Sequence, residues 1–216
     1  MAGGAAAVTS LAPTLAVAAA TVGALHTLAP DHWIPIAAVA RARNWSAART
    51  ARVAFGCGFG HVTVSAALGL VALISGTAVV EALGARAGAV GGVLLIGFGA
   101  AYALWGLRKL IARHHHHHHA SPGDALTTRA LFAIYCADPC VAVIPLIFAA
   151  APVSRMATLA IVAVYELATI ATMVGLTLAA RAGATLLGGR WVEHYGDSAA
   201  GALIVATGLV VTLAGW

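Results

Sequence analysis

The sequence predicts an all-α integral membrane protein with six transmembrane helices, arranged as two inverted three-helix repeats. Three observations carry that prediction. Of 216 residues, 61% are hydrophobic and only 9% charged, whereas an ordinary soluble domain is about 25% charged. The mean hydropathy is +0.93. Apolar stretches recur at close to the ~20 residues that cross roughly 30 Å of hydrocarbon. Seven acids and twelve Lys plus Arg cannot solvate a 21.6 kDa globule, which excludes a soluble enzyme, a disordered tail and a DNA-reading domain. The pI near 9.6 does not mark a nucleic-acid partner, because the few basic residues are sorted by loop. The expected partner is the lipid bilayer.

The first apolar stretch, about residues 13–40, is closed by Arg41 and Arg43 and contains Pro30 and Pro35. It is too long for one straight span, and proline removes a helix hydrogen bond, so a broken helix is expected. Span two covers about 53–75 and span three about 88–107, stopped by Arg108, Lys109 and Arg113. A polar loop follows. Span four covers about 130–150 and contains Asp138-Pro139 and Pro145; spans five and six cover about 156–180 and 198–216. The organisation is a first half over 1–113, a His-rich loop over 114–127 and a second half over 128–216. No secretory signal stands apart from the first span, since residues 1–10 lack Lys and Arg.

Charge gives orientation. Ten of the twelve cations follow spans one, three and five, and only Arg86 and Arg155 fall in the opposite loops. By the positive-inside rule the cation-rich side is cytoplasmic, which places both termini outside the cell membrane. An internal repeat agrees with this count. At an offset of 109, Gly92, Gly99 and Gly106 coincide with Gly201, Gly208 and Gly215. Residues 63–70 (TVSAALGL) resemble 169–176 (TIATMVGL), and Pro35 sits like Pro145. Glycines seven apart also form a stripe for close helix approach without any shared ancestry, and offer a surface for a homo-oligomer. Three spans per half would make the halves inverted, an arrangement that puts substrate near the midplane on discontinuous helices.

An ionisable group at membrane depth costs at least about 2.5 kcal/mol, so it usually lines a pathway. The group His26-Thr-Leu-Ala-Pro30-Asp31-His32 is the sharpest in the chain. On an unbroken helix His26 and His32 would lie about 120° apart, whereas a break at Pro30 lets both imidazoles and the carboxylate turn inward. Imidazole suits nickel, cobalt, copper and zinc, and a carboxylate either ligates or fixes the histidine tautomer from behind. No thiolate belongs to this cluster, which argues against copper(I) or structural zinc. The plainer reading is a buried His–Asp pair holding a bent helix. His61 in span two is a candidate fourth member, with Gly56, Gly58 and Gly60 allowing another backbone near; a lone packing histidine is the plainer reading.

In the second half, Asp138, Cys140, Glu166 and Thr169 are pathway candidates. Asp138 would serve as a further ligand or a proton carrier, and Glu166 with Thr169 as a second carrier. The three cysteines, Cys57, Cys136 and Cys140, lie in apolar segments, so a disulfide framework is not indicated. Cys136 and Cys140 stand one turn apart and would act together if that segment is helical; small packing residues are the plainer reading. The run His114, His115, His116, His117, His118 and His119 is either a loose metal reservoir at the inner mouth or an engineered tag. No nucleotide-binding loop occurs in the chain, so energy would come from ion gradients or a partner.

The HTLAPDH segment, 26–32, resembles the H-x4-D-H signature of nickel/cobalt permeases, and Gly60-His61 resembles that family's glycine-histidine motif. Six spans with a His-rich loop between the third and fourth are similar to its efflux branch. The resemblance implies a non-enzymatic secondary transporter whose substrate is nickel or cobalt, with no permanently bound cofactor. It implies that His26, Asp31, His32 and His61 take part in metal selection and passage. The chain departs from the uptake branch, which has more spans and a longer signature. A competing resemblance is to membrane thiol-disulfide electron carriers, on Asp138-Pro139-Cys140 and the six-span inverted layout. Those carriers need a matching cysteine in the first span, where this chain has Asp31-His32, and Cys57 is a poor substitute.

Overall fold

The computed structural model describes residues 2–75, 77–112, 123–186 and 190–214, all of whose regular structure is helical. Helix α1 spans Ala2–His26, a 3₁₀ turn Pro30–His32, and α2 Ile34–Ala42. Helix α3 spans Ala47–Ser75, α4 Thr77–Ala112, α5 Gly123–Ala137 and α6 Val143–Ala150. Helices α7 and α8 span Arg155–Leu186 and Arg190–Ala214. Among the described residues, three stretches are long and apolar enough to cross a membrane: Ala47–Ile74, Arg155–Gly183 and Tyr195–Leu213. A fourth is the bent pair Pro13–His26 and Pro30–Ala42, whose axes meet at 79°. The molecule is thus an all-helical protein of multi-pass membrane type.

The break in the first span lies where proline chemistry requires it. The Pro30 ring would clash with the carbonyl four residues earlier, that of His26, and α1 ends there. The amides of Leu28 and Ala29 turn back to the carbonyls of Leu25 and His26, both at 3.1 Å. Helix α2 ends in a Schellman turn: Asn44 has φ 51°, and the amides of Asn44 and Trp45 bond the carbonyls of Arg41 and Ala40 at 3.2 and 2.9 Å. The fourth apolar segment is broken in the same manner. Pro139 deprives the Tyr135 carbonyl of its helical donor, and α5 ends at Ala137.

Several helices run beyond their apolar windows. Helix α3 starts at Ala47 and α4 at Thr77, ahead of residues 53 and 88, and α8 starts at Arg190 ahead of 198. The predicted loop 114–127 is shortened, because α5 already begins at Gly123. Hydrocarbon sets the apolar length, but backbone hydrogen bonding continues into charged turns. The run His114–His119 lies outside the described residues.

Helices α4 and α8 form the most extensive helix pair. Their glycines face each other. A methyl added at Gly99 would come within 2.8 Å of the Gly201 carbonyl, and one at Gly208 within 2.8 Å of the Gly92 carbonyl. At Gly106 it would meet the Ser198 amide at 2.7 Å. The stripes offered by the sequence for a homo-oligomer are therefore occupied within the chain.

One end of the molecule is tied by Arg43, whose side chain is 8% exposed. It donates to Tyr102 Oη at 2.8 Å, Asp124 Oδ1 at 2.7 Å and Thr127 Oγ1 at 3.2 Å. Asp197 Oδ1 lies 3.5 Å from its Nε and accepts from Tyr102 Oη at 2.9 Å. The Arg181 Nε donates to the Trp45 carbonyl at 2.9 Å. These bonds collect the C-terminal ends of α2, α4 and α7 and the N-terminal ends of α3, α5 and α8 at one level.

Replacing Gly201 by Val is expected to destabilise the protein by ~1–3 kcal/mol through overpacking against α4. Gly97→Ala, where an added methyl meets nothing within 4 Å, is the control. Thermal unfolding in detergent compares the two, and equal midpoints would contradict the packing account.

Candidate functional site

The two breaks face each other at the level of His61, which sits midway along α3. The break at Pro30 rotates His26 and His32 onto one point: their ring centroids are 4.4 Å apart and nearly perpendicular. His61 lies 5.1 Å from His32 and 6.2 Å from His26, parallel to the latter. Three imidazoles thus share one buried space, as the break was expected to allow. His61 is a member of that group and not a lone packing residue.

The tautomers follow from the partners. The His61 Nδ1 lies 3.3 Å from the Tyr135 carbonyl oxygen, which can only accept, so Nδ1 carries the proton. The His32 Nδ1 donates to Asp31 Oδ1 at 3.1 Å, with both side chains buried. In each ring the lone pair is therefore left on Nε2. The Nε2 atoms of His26, His32 and His61 are all buried without a hydrogen-bond partner. Leaving a buried polar atom unpaired costs about 1–3 kcal/mol, and three at one place form a feature that a ligand would relieve.

Cys140 completes the group. Ligand atoms of His26, His61 and Cys140 lie within 4.8 Å of one another. This corrects the expectation that no thiol belongs to the cluster: Cys140 is more than 100 residues from the signature and reaches it only because the second break folds against the first. The objection to thiol-preferring ions falls with it. Its Sγ is 2.6 Å from Tyr165 Oη. Cys136 and Cys140 do not share a helix turn, because α5 ends between them. The Cys136 thiol packs instead at Gly60, where an added methyl would meet Sγ at 2.7 Å. All three cysteines are free thiols. Two N donors and one S donor, with His32 beside them, form a set suited to nickel, cobalt, copper or zinc.

The remaining candidates divide. Asp138 lies within electrostatic range of Asp31 and His32, at the edge of the group. Thr169 is fully buried on α7, where a methyl added at Gly23 of α1 would meet its Oγ1 at 2.9 Å; it packs the helices around the site. Glu166 is half-buried on α7, and no described hydrogen bond or ring contact links it to the imidazoles. The sequence reading passed over three hydroxyl residues that hold the breaks. Tyr135 Oη lies 2.9 Å from both the Asp31 and His32 carbonyls, donating to the 3₁₀ turn. Ser65 Oγ accepts from the Cys140 amide and donates to the His61 carbonyl, both at 2.7 Å. Tyr165 contacts the Cys140 thiol. The available signal was their position: hydroxyls on apolar helices, close in sequence to an ionisable candidate.

No protein-family model, curated protein or solved structure matches the chain. Its function is argued from the cluster itself.

Tyr135→Phe removes the donor to the Asp31 and His32 carbonyls and is expected to cost about 1–3 kcal/mol of stability. Unfolding followed by circular dichroism in detergent measures the loss. A wild-type midpoint would show that the turn does not depend on this hydroxyl.

Proposed function

We propose that the chain is a secondary transporter of a divalent transition metal, nickel or cobalt, carried through the cluster of His26, His32, His61 and Cys140. The observation behind this reading is that ligand atoms of His26, His61 and Cys140 lie within 4.8 Å of one another, with His32 beside them, while the Nε2 atoms of all three imidazoles are buried and unpartnered. A buried His–Asp pair that merely stabilised a bent helix would need neither the third imidazole nor the free lone pairs. The ion exchanges water for Nε2 of His26 and His61 and for Cys140 Sγ, with His32 Nε2 as the neighbouring donor. Asp31 holds the His32 proton on Nδ1 and makes its Nε2 more basic. Asp138, at the edge, is placed to accept a proton or assist the ion on its way out. Imidazole and thiol together suit borderline ions, and the resemblance of 26–32 to the nickel/cobalt permease signature favours nickel and cobalt among them.

The layout supports transport. Pairing the α1–α2 broken span with α5–α6, α3 with α7 and α4 with α8 gives six spans in two inverted halves. Packing follows that pairing in part: α1 against α7 matches α5 against α3, α2 against α7 matches α6 against α3, and α4 meets α8. Substrate bound at broken helices between inverted halves is the arrangement through which alternating access operates. With the cation-rich end cytoplasmic, both termini lie outside the cell membrane.

Cells expressing the wild type should differ in nickel or cobalt content from cells with empty vector, and His26→Ala or His61→Ala should abolish the difference. Unchanged metal content in both variants would sink the transport reading. In purified protein, Asp31→Asn should weaken Co²⁺ binding by about 10–100-fold. The thiolate-to-cobalt charge-transfer band should vanish in Cys140→Ser and persist in Cys136→Ser. A band insensitive to Cys140 would remove the thiol from the site.

A further inference from the structure

Away from the histidines, a cavity of about 690 Å³ opens between the first turns of α3 and α5. Its lining changes character with depth. Arg49 and Arg52 of α3 and Thr128 and Arg129 of α5 border the mouth, and Cys57 and Phe132 belong to the wall farther along the same helices. At 1.5 Å per residue, Cys57 lies about 12 Å along the helix from Arg49. Phe132 is 45% exposed, so this wall is open to the side of the bundle. Among the described residues, no carboxylate lines the cavity. The nearby Asp124 is divided between Arg43 at 2.7 Å and Arg49 at 2.9 Å. Among the described residues, Arg52 and Arg129 have no acidic partner. Both helices also begin at this mouth, which adds the positive ends of their dipoles.

We propose that this cavity binds the headgroup of an anionic phospholipid, with the phosphate against Arg52 and Arg129 and an acyl chain along Phe132. A small soluble anion would use the mouth but would leave the apolar wall uncovered. An amphiphile matches both parts, and the cavity lies at the arginine-rich end, where anionic lipid concentrates if that end is cytoplasmic. The inference is independent of the metal reading, since none of these residues belongs to the imidazole cluster.

The test uses the purified full chain in neutral detergent, titrated with dioleoyl phosphatidylglycerol, dioleoyl phosphatidylcholine or inorganic phosphate. Binding is read by native mass spectrometry and by the shift in unfolding midpoint. Wild type should retain phosphatidylglycerol and be stabilised by it, with little response to phosphatidylcholine. Arg52→Gln/Arg129→Gln should weaken phosphatidylglycerol binding by roughly tenfold. Arg52→Lys/Arg129→Lys should keep most of it, and Arg155→Gln, at the N-terminal end of α7, should keep all. Helical circular dichroism confirms that each variant is folded. Equal retention of the two lipids, or a Gln pair that binds like wild type, would overturn the proposal. Arginine-dependent stabilisation by inorganic phosphate equal to that by phosphatidylglycerol would overturn the lipid and assign the cavity to a free anion.

Discussion

Hydrocarbon offers no hydrogen bonds, so every backbone group released at a helix break must be satisfied by the protein, at a cost of several kcal/mol if it is not. The structure depends on how that constraint is met at the breaks made by Pro30 and Pro139. The carbonyls of Asp31 and His32 are met by Tyr135, which belongs to α5. The Cys140 amide is met by Ser65, which belongs to α3. The Tyr135 carbonyl, freed by Pro139, receives the His61 Nδ1 proton. Each break is thus completed from the other half of the chain.

This exchange also sets the chemistry. Because the freed carbonyl takes the Nδ1 proton of His61, the ring presents its lone pair on Nε2, and Asp31 does the same for His32. The hydrogen bonds that make broken helices tolerable are those that prepare the donors. At the far end, Arg43 performs a different task with similar economy, tying helix ends to one level through Tyr102, Asp124, Thr127 and Asp197. One apolar cluster, with Ile36, Trp45, Leu131 and Tyr135, lies between these two regions, and another, with Ala19, Ile147, Ile161 and Tyr165, packs α1, α6 and α7 beyond the breaks.

Much of the helical plan was legible because charge is so scarce. Pro30 beside Asp31 and His32 announced a break, and His61 stood out as an ionisable residue in an apolar helix. Helix ends were not legible: Arg49 and Arg52 look like loop residues, yet their long side chains leave a helix at its polar end without burying charge. Cys140 as a near neighbour of His26 was beyond local spacing, since the contact requires both breaks to fold together. Tyr135 and Ser65 were passed over because a hydroxyl in an apolar run carries no charge, and its importance lies in a backbone atom more than seventy residues away. Arg43 counted only as an orientation marker, although its five donors reach three other helices.

The reciprocal bonding at the breaks restricts how the molecule can deform. Pulling the halves apart would strand the 3₁₀ carbonyls and the Cys140 amide together, in a medium where neither finds water. The two breaks are therefore one unit: neither can be undone without exposing the backbone that completes the other.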